Sequence, residues 1–223
     1  MSRVRVHAVA LSLDGYMAGP GQDLANPLGI GGTLIHEWIF ATRTGREMIG
    51  KLGGEEGLDD DFVKQGFAGI GATIMGRNMF GPVRGRWEEP PWRGWWGDDP
   101  PFHHPVFVLT HHARAPLTMA GGTTFYFVTD GIERALVRAR EAAQGADVRV
   151  GGGASTIQQF LRARLVDELH MAVVPVLLGA GERLFDNLGD PPVGYECRRF
   201  VSSDRAAHYR LFRSAPGPVD RGR

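Results

Sequence analysis

The chain has 223 residues, 43% of them hydrophobic, and its 25 Lys and Arg balance 25 Asp and Glu. That length and apolar content suit one enlarged α/β domain with a sizeable core. Zero net charge excludes a global electrostatic drive toward nucleic acid or an anionic membrane.

The single cysteine, Cys197, rules out an intrachain disulfide and fits a reducing compartment, so a cytoplasmic protein is expected. Cys197 has no flanking ligand pattern and reads as a small buried hydrophobe. No apolar run is long enough to cross a bilayer. The opening Val4, Val6, Ala8 and Ala10 lack the apolar block and cleavage site of a secretory signal. None of Asn26, Asn78 and Asn187 has a Ser or Thr two residues on, so glycosylation acceptors are lacking.

Val4 to Leu11 alternates and starts β-branched, which predicts a strand. Ser12-Leu13-Asp14-Gly15 turns the chain, and residues 18–35, rich in Gly and Pro, read as a loop. A short helix is predicted from His36 to Arg46, stopped by residues 50–57. Leu58 to Phe67 reads as a helix whose first turn carries Asp59, Asp60 and Asp61, where carboxylates suit the positive end of the dipole. Ala72 to Met75 is a buried strand by its apolar run, and Gly76-Arg77-Asn78-Met79-Phe80 opens a helix. Residues 81–105 form a long insertion with Trp87, Trp92, Trp95 and Trp96, either a lid or an interface.

Strands at Val106–Thr110 and Thr124–Val128 precede an amphipathic helix from Gly131 to Ala143. A short strand at Val148–Val150, a helix from Ser155 to Ala163 and a strand from Glu168 to Val176 follow. Residues 193–201 and 206–213 read as an antiparallel pair, and residues 214–223 as a flexible tail. Strands alternating with helices before an antiparallel end predict a mixed sheet with helices on both faces.

The strongest chemical signal is Val148-Arg149-Val150-Gly151-Gly152-Gly153-Ala154-Ser155-Thr156: a strand, three glycines, then hydroxyl residues opening a helix. Glycines let a backbone approach a phosphate, and the new helix points its N–H groups outward. The pattern is neither a dinucleotide fingerprint in a first βα unit nor a Walker loop. A tight strand-to-helix turn would leave the same residues. Gly76-Arg77 and Leu109-Thr110-His111-His112-Ala113-Arg114 also follow strands, and ligands gather at such strand ends. Arg77 reads as a phosphate donor or a surface ion-pair partner. His103, His104, His111 and His112 lack acidic or thiol partners at ligand spacing, so no metal is expected.

Ser12-Leu13-Asp14-Gly15, Ile74-Met75-Gly76-Arg77, Gly151-Gly152-Gly153 with Phe160-Leu161, Asp167-Glu168-Leu169, Val174-Pro175-Val176-Leu177-Leu178-Gly179 and Leu184-Phe185 form an ordered set. This set resembles the dihydrofolate-reductase-like superfamily over roughly residues 3–213. The branch it resembles most is the reductase domain of riboflavin biosynthesis and its stand-alone bacterial relatives. The resemblance implies a single α/β domain over residues 1–213, a three-layer α/β/α fold with a mixed, mostly parallel central sheet. It implies NADPH bound across the sheet: Ala10 and Met17 at the nicotinamide, and Gly76, Arg77, Asn78 and Met79 under the adenosine phosphates. Thr110, His111 and Arg114 would hold the ribose 2′-phosphate, and Gly152, Gly153, Ala154, Ser155 and Thr156 the pyrophosphate. An Arg or His cluster suits NADPH better than NADH. A homodimer paired through sheet strands is a further implication.

On the substrate side, the folate-reducing branch's carboxylate falls on Asp60, which could hydrogen-bond or help protonate a pterin-like ring. Helix-dipole electrostatics would equally explain Asp59, Asp60 and Asp61. Trp38, beside His36 and Glu37, Asp61 and Glu168 are the other substrate-side candidates. Where the riboflavin branch often carries Lys, this chain has Ala8 and Tyr16, which points to a different, less polar substrate. The sequence therefore reads as an NADPH-dependent reductase of a small heterocyclic (pterin- or pyrimidine-like) or carbonyl compound. A true dihydrofolate reductase and a non-catalytic nucleotide-binding module are the alternatives.

Overall fold

A computed structural model describes residues 2–81, 84–88, 91–189 and 194–214. Residues 215–223, the bulk of the expected tail, lie outside the described residues.

The chain builds strands β1 (Val4–Ser12), β2 (Tyr16–Ala18), β3 (Ile70–Gly76), β4 (Pro105–Leu109), β5 (Leu117–Thr118) and β6 (Thr124–Val128). β7 (Asp147–Gly152), β8 (Glu168–Val174), β9 (Glu182–Arg183), β10 (Tyr195–Ser202) and β11 (Ala207–Arg213) follow. The helices are α1 (Glu37–Ala41), α2 (Arg43–Glu47), α3 (Leu58–Phe67), α4 (Arg77–Phe80), α5 (Gly131–Ala143) and α6 (Ala154–Arg162). Nine strands form one sheet in the order β10-β11-β8-β1-β7-β3-β4-β6-β5. The six from β8 to β6 run parallel, whereas β11, β10 and β5 join through antiparallel pairings. β2 and β9 pair separately.

Parallel strands need cover on both faces, and the sequence supplies it. In α5 the buried Ile132, Ala135, Leu136, Ala139 and Ala143 recur at helical spacing. Gln144 (φ 49) and Gly145 (φ 93) then end the helix in left-handed backbone. α5 and α6 close one face, packing Leu136, Ile157, Phe160 and Leu161 on Val4, Val6, Ile74, Val148 and Val150. A fully buried Phe160 contributes roughly 2–3 kcal/mol of transfer free energy. The other face has two patches. Ile35, Trp38, Phe62 and Val63 cover Ala10, Ala172 and Val174. Phe80, Phe102 and Met119, with Trp87, Trp92 and Trp96, cover Met75, Val106, Val108 and Phe125.

At Ala8 the backbone turns to φ 59, and the β1–β8 register shifts between Val6 and Val9. This bulge resets the alternation, so Val6 and Val9 both face the α5–α6 layer.

Three expectations are corrected. The segment from His36 to Arg46 is two helices, because Thr42 is extended (φ −74, ψ 158) and its hydroxyl accepts from the Gly45 N–H to start α2. The strand opening at Glu168 stops at Val174, before Pro175. Cys197 is exposed, because it lies on edge strand β10, whose residues are mostly uncovered.

Candidate active site

Because β7, β3, β4 and β6 are adjacent and parallel, their carboxyl ends open on one edge of the sheet. A cleft of about 350 Å³ lies there, lined by Gly76, Arg77, Thr110, His111, Gly153 and Ser155, with Asn78, Thr156 and others. The glycine loop closes its base. Gly152 has φ 129, a region that L side chains rarely adopt, and the Gly152–Gly153 peptide is cis. A Cβ on Gly76 would meet Thr156 Oγ1 at 2.3 Å, and one on Gly151 would meet Met79 Sδ at 3.1 Å. Met17 Cε would lie 3.9 Å from a Cβ on Gly152. Strand β3, helix α6 and the loop between β7 and α6 therefore interlock through missing side chains.

No side chain caps α6, whose N-cap is Gly153. Gly153, the exposed Ser155 and the buried Thr156, at the start of the helix, line the cleft. In the same cleft, Arg77 Nη1 donates to Thr110 Oγ1 at 3.3 Å, while its Nε and Nη2 are buried without a hydrogen-bond partner. Burial, then the neighbouring Arg114, lowers the Arg77 pKa to about 10, so it stays cationic at neutral pH. A cleft lined by both a guanidinium with unpaired nitrogens and an uncapped helix start has the chemistry of an anion site. Phosphate groups of a nucleotide fit it.

Of the residues singled out for a cofactor, Gly76, Arg77, Asn78, Thr110, His111, Gly153, Ser155 and Thr156 line this cleft. Met17, Met79 and Gly152 meet at the glycine loop. Ala154 is the buried first residue of α6, and Ala10 is buried in β1 beneath Trp38 and Phe62. Arg114 sits behind the lining, with its guanidinium 4.8 Å from the Trp87 ring.

Only two of the substrate-side candidates come together. Trp38 and Asp60 line a second cavity of about 380 Å³ with Thr42, Asp59, Ser203, Arg205 and others. Asp60 accepts from the Thr44 N–H at 2.8 Å and pairs with Lys64 at 2.7 Å. Burial alone would raise its carboxyl, but the bonds from Lys64 and Thr44 outweigh that and hold it below the ordinary value. As an ionised group, Asp60 accepts hydrogen bonds and secures the start of α2; it is not poised to give a proton. Asp61 is exposed, on the outward side of α3. Glu168, expected near the pocket, is fully buried at the amino end of β8, whereas the cleft opens at carboxyl ends. It is held by His7 (2.7 Å), Arg210 (2.5 Å) and Arg3 (3.0 Å). Burial raises its carboxyl, and the bonds from His7 and Arg210 override that to bring it to about 2.

One buried chain of polar groups escaped the sequence reading. The Ala8 N–H donates to His170 Nδ1 (3.3 Å), His170 Nε2 meets His208 Nδ1 (3.1 Å), and His208 Nε2 meets Asp59 Oδ1 (2.8 Å). Phe62 stacks on both imidazoles at 4.5 and 4.2 Å, and Trp38 abuts them edge-on. Burial pushes His170 down to about 2 and lowers His208, so both are neutral. The neutral tautomers that satisfy every member donate from Ala8 to His170, to His208 and finally to Asp59. The only signal available was a histidine inside the apolar run of β8.

Among the described residues, no group of three or more His, Cys, Asp or Glu could hold a metal ion. No helix among them is long and apolar enough to cross a membrane.

Comparison with known proteins agrees with this fold. An uncharacterized protein of Bacillus subtilis (strain 168), YwjB, is 32% identical over 62 residues, which take in 28% of this chain and 35% of that protein. The match therefore spans about a third of that relative's length. A putative riboflavin biosynthesis protein from Shewanella sp. PV-4 superposes with a TM-score of 0.62 at 20% identity, covering 96% of this chain and 100% of that one. Dihydrofolate reductase from Enterococcus faecalis, complexed with NADP(H), superposes at 0.51 with 14% identity, covering 96% and 97%. These likenesses establish the three-layer α/β fold with a mixed, mostly parallel sheet that reductase domains share. The RibD C-terminal domain family matches residues 5–208, nearly the whole of the sheet and its covering helices. The chain belongs to the RibD C-terminal domain family.

Proposed function

We propose that this chain is an NADPH-dependent reductase that passes a hydride to a small heterocyclic or carbonyl compound. The observation that carries the reading is Arg77, with two buried nitrogens unpaired, in the same cleft as the uncapped start of α6. The α6 N–H groups and Ser155 would hold the pyrophosphate, and Arg77, Thr110 and His111 the 2′-phosphate. Met17 and the backbone of Ala10 would border the nicotinamide, as the family resemblance implies. When bound, the cofactor supplies the hydride; the chain supplies placement and a fixed electrostatic setting.

Ala8 and Tyr16 favour a substrate without phosphoribosyl groups. The Ala8 methyl offers no charge, and Tyr16 is engaged by Arg183, whose guanidinium lies 4.6 Å from the ring. A cytoplasmic location and a homodimer paired through the uncovered strand β10 complete the proposal; light scattering reads the latter directly.

The test is NADPH consumption by the pure protein against a panel of pterins, pyrimidines and carbonyl compounds. Steady oxidation with any of them supports a reductase. Binding of NADPH without turnover of any compound would make the protein a nucleotide-binding module. Turnover of dihydrofolate with tight methotrexate binding would make it a true dihydrofolate reductase.

A further inference from the structure

Residues 81–105 carry four tryptophans, and one of them reaches the cleft's cations. The guanidinium carbon of Arg77 lies 3.1 Å from the centre of the Trp87 ring, in face contact. The Arg114 guanidinium lies 4.8 Å from the same ring. Trp87 is itself pinned: its indole N–H donates to the His112 carbonyl at 3.0 Å, and its ring packs edge-on to Phe80 and Phe127. Arg114 is tied from the other direction by its bond to the Trp92 carbonyl at 2.5 Å.

Stacking holds a guanidinium through its flat face and leaves its in-plane N–H groups for a ligand. In Arg77 the Nε and Nη2 are buried and lack any hydrogen-bond partner. Two like charges gathered on one ring repel, and Arg114 lowers the Arg77 pKa for this reason, second to burial. A phosphate monoester, with about two negative charges near neutral pH, offsets that repulsion better than a singly charged phosphodiester. We propose that Trp87 is a specificity-determining positioning residue, which holds Arg77 on its ring face, with Arg114 beside it, to receive the phosphate monoester of NADPH. The inference rests on the NADPH reading above. It assigns one residue of the Trp-rich insertion to cofactor choice.

The experiment titrates NADPH and NADH calorimetrically into the wild-type protein and into Trp87→Leu and Trp87→Phe. Trp87→Leu should weaken NADPH about tenfold and leave NADH within about twofold, because only the monoester uses the stacked cations. Trp87→Phe keeps an aromatic face and should recover most of the loss. Equal weakening of both cofactors, or Trp87→Phe behaving like Trp87→Leu, would show that Trp87 serves only packing and would overturn the proposal. If Trp87→Leu fails to fold, Trp87→Met fills the space without a π face and takes its place. A wild-type protein that binds NADPH no better than NADH would instead bring down the cofactor reading, and this inference with it.

Discussion

Substituting Gly76 by Ala probes the contact on which the cleft depends, between the end of β3 and the first turn of α6. Gly76 is extended (φ −80, ψ 162), so alanine meets no backbone penalty and only space matters. Its Cβ would stand 2.3 Å from Thr156 Oγ1, against ordinary contact from 3.4 Å, so the two elements must part by about 1 Å. Thr156 is 3% exposed and β-branched, so its side chain has little freedom to turn away. Overpacking of this kind costs about 1–3 kcal/mol. Thr156→Ala alone should cost about 1 kcal/mol, for one buried methyl and its hydroxyl. In Gly76→Ala/Thr156→Ala the nearest remaining contacts, Thr156 Cβ and the Gly152 carbonyl oxygen, stand at 3.5 Å, which is ordinary packing. The double variant should therefore match Thr156→Ala alone, with a coupling of about 1–3 kcal/mol. Urea unfolding of all four proteins, followed by tryptophan fluorescence, measures the cycle. Additive losses would refute the reasoning.

Phe62→Ala would empty the stack against His170 and His208 and should cost about 3–5 kcal/mol; a loss under about 1 kcal/mol in the same urea assay would contradict the packing. Acid should destabilise the fold in a defined window. His7 and His170 titrate at about 4 and about 2 when folded, against 6.5 as the ordinary value. The unfolded chain therefore takes up protons first, and stability falls as the pH drops from 6.5 toward 4. Below 4.5 the loss deepens, because Glu168 is held at about 2 and its stabilisation disappears as it protonates. Thermal unfolding against pH should show this slope, and His170→Gln should flatten it; a level profile from pH 7 to pH 5 would count against a buried neutral cluster. Asp60→Ala should cost about 1–2 kcal/mol by uncapping the Thr44 N–H, with Asp60→Asn costing less. Neither should alter NADPH affinity, and a tenfold change in calorimetric Kd would place Asp60 at the cofactor instead.

Local signals made much of the frame legible. The apolar spacing from Ile132 to Ala143 and the acidic first turn at Asp59–Asp61 each predict a helix whose bounds the structure reproduces, because both patterns lie within a few turns of one segment. Gly151–Thr156 announced a tight strand-to-helix turn for the same reason. What escaped notice was non-local. His170 and His208 meet across paired strands 38 residues apart, and Asp59 joins them from a helix on the other side of the chain's order. Glu168 is drawn to His7 and Arg210 by strand register, which no spacing rule encodes. Asp60 and Asp59 differ by one position on α3, and that step of helix rotation sends one to Thr44 and the other to His208. The Trp87–Arg77 stack joins an insertion to a strand end, and composition alone left that insertion's role open.

Calorimetric titration of NADPH and NADH into the wild-type protein and into Arg77→Ala tests the central claim most directly. The wild type should bind NADPH at least about tenfold more tightly than NADH, as two charge-assisted hydrogen bonds to a dianion would give. Arg77→Ala should weaken NADPH to near the NADH value and leave NADH almost unchanged. Equal affinities in the wild type, or no binding of either nucleotide, would mean that the glycine loop and Arg77 serve the fold and not a cofactor.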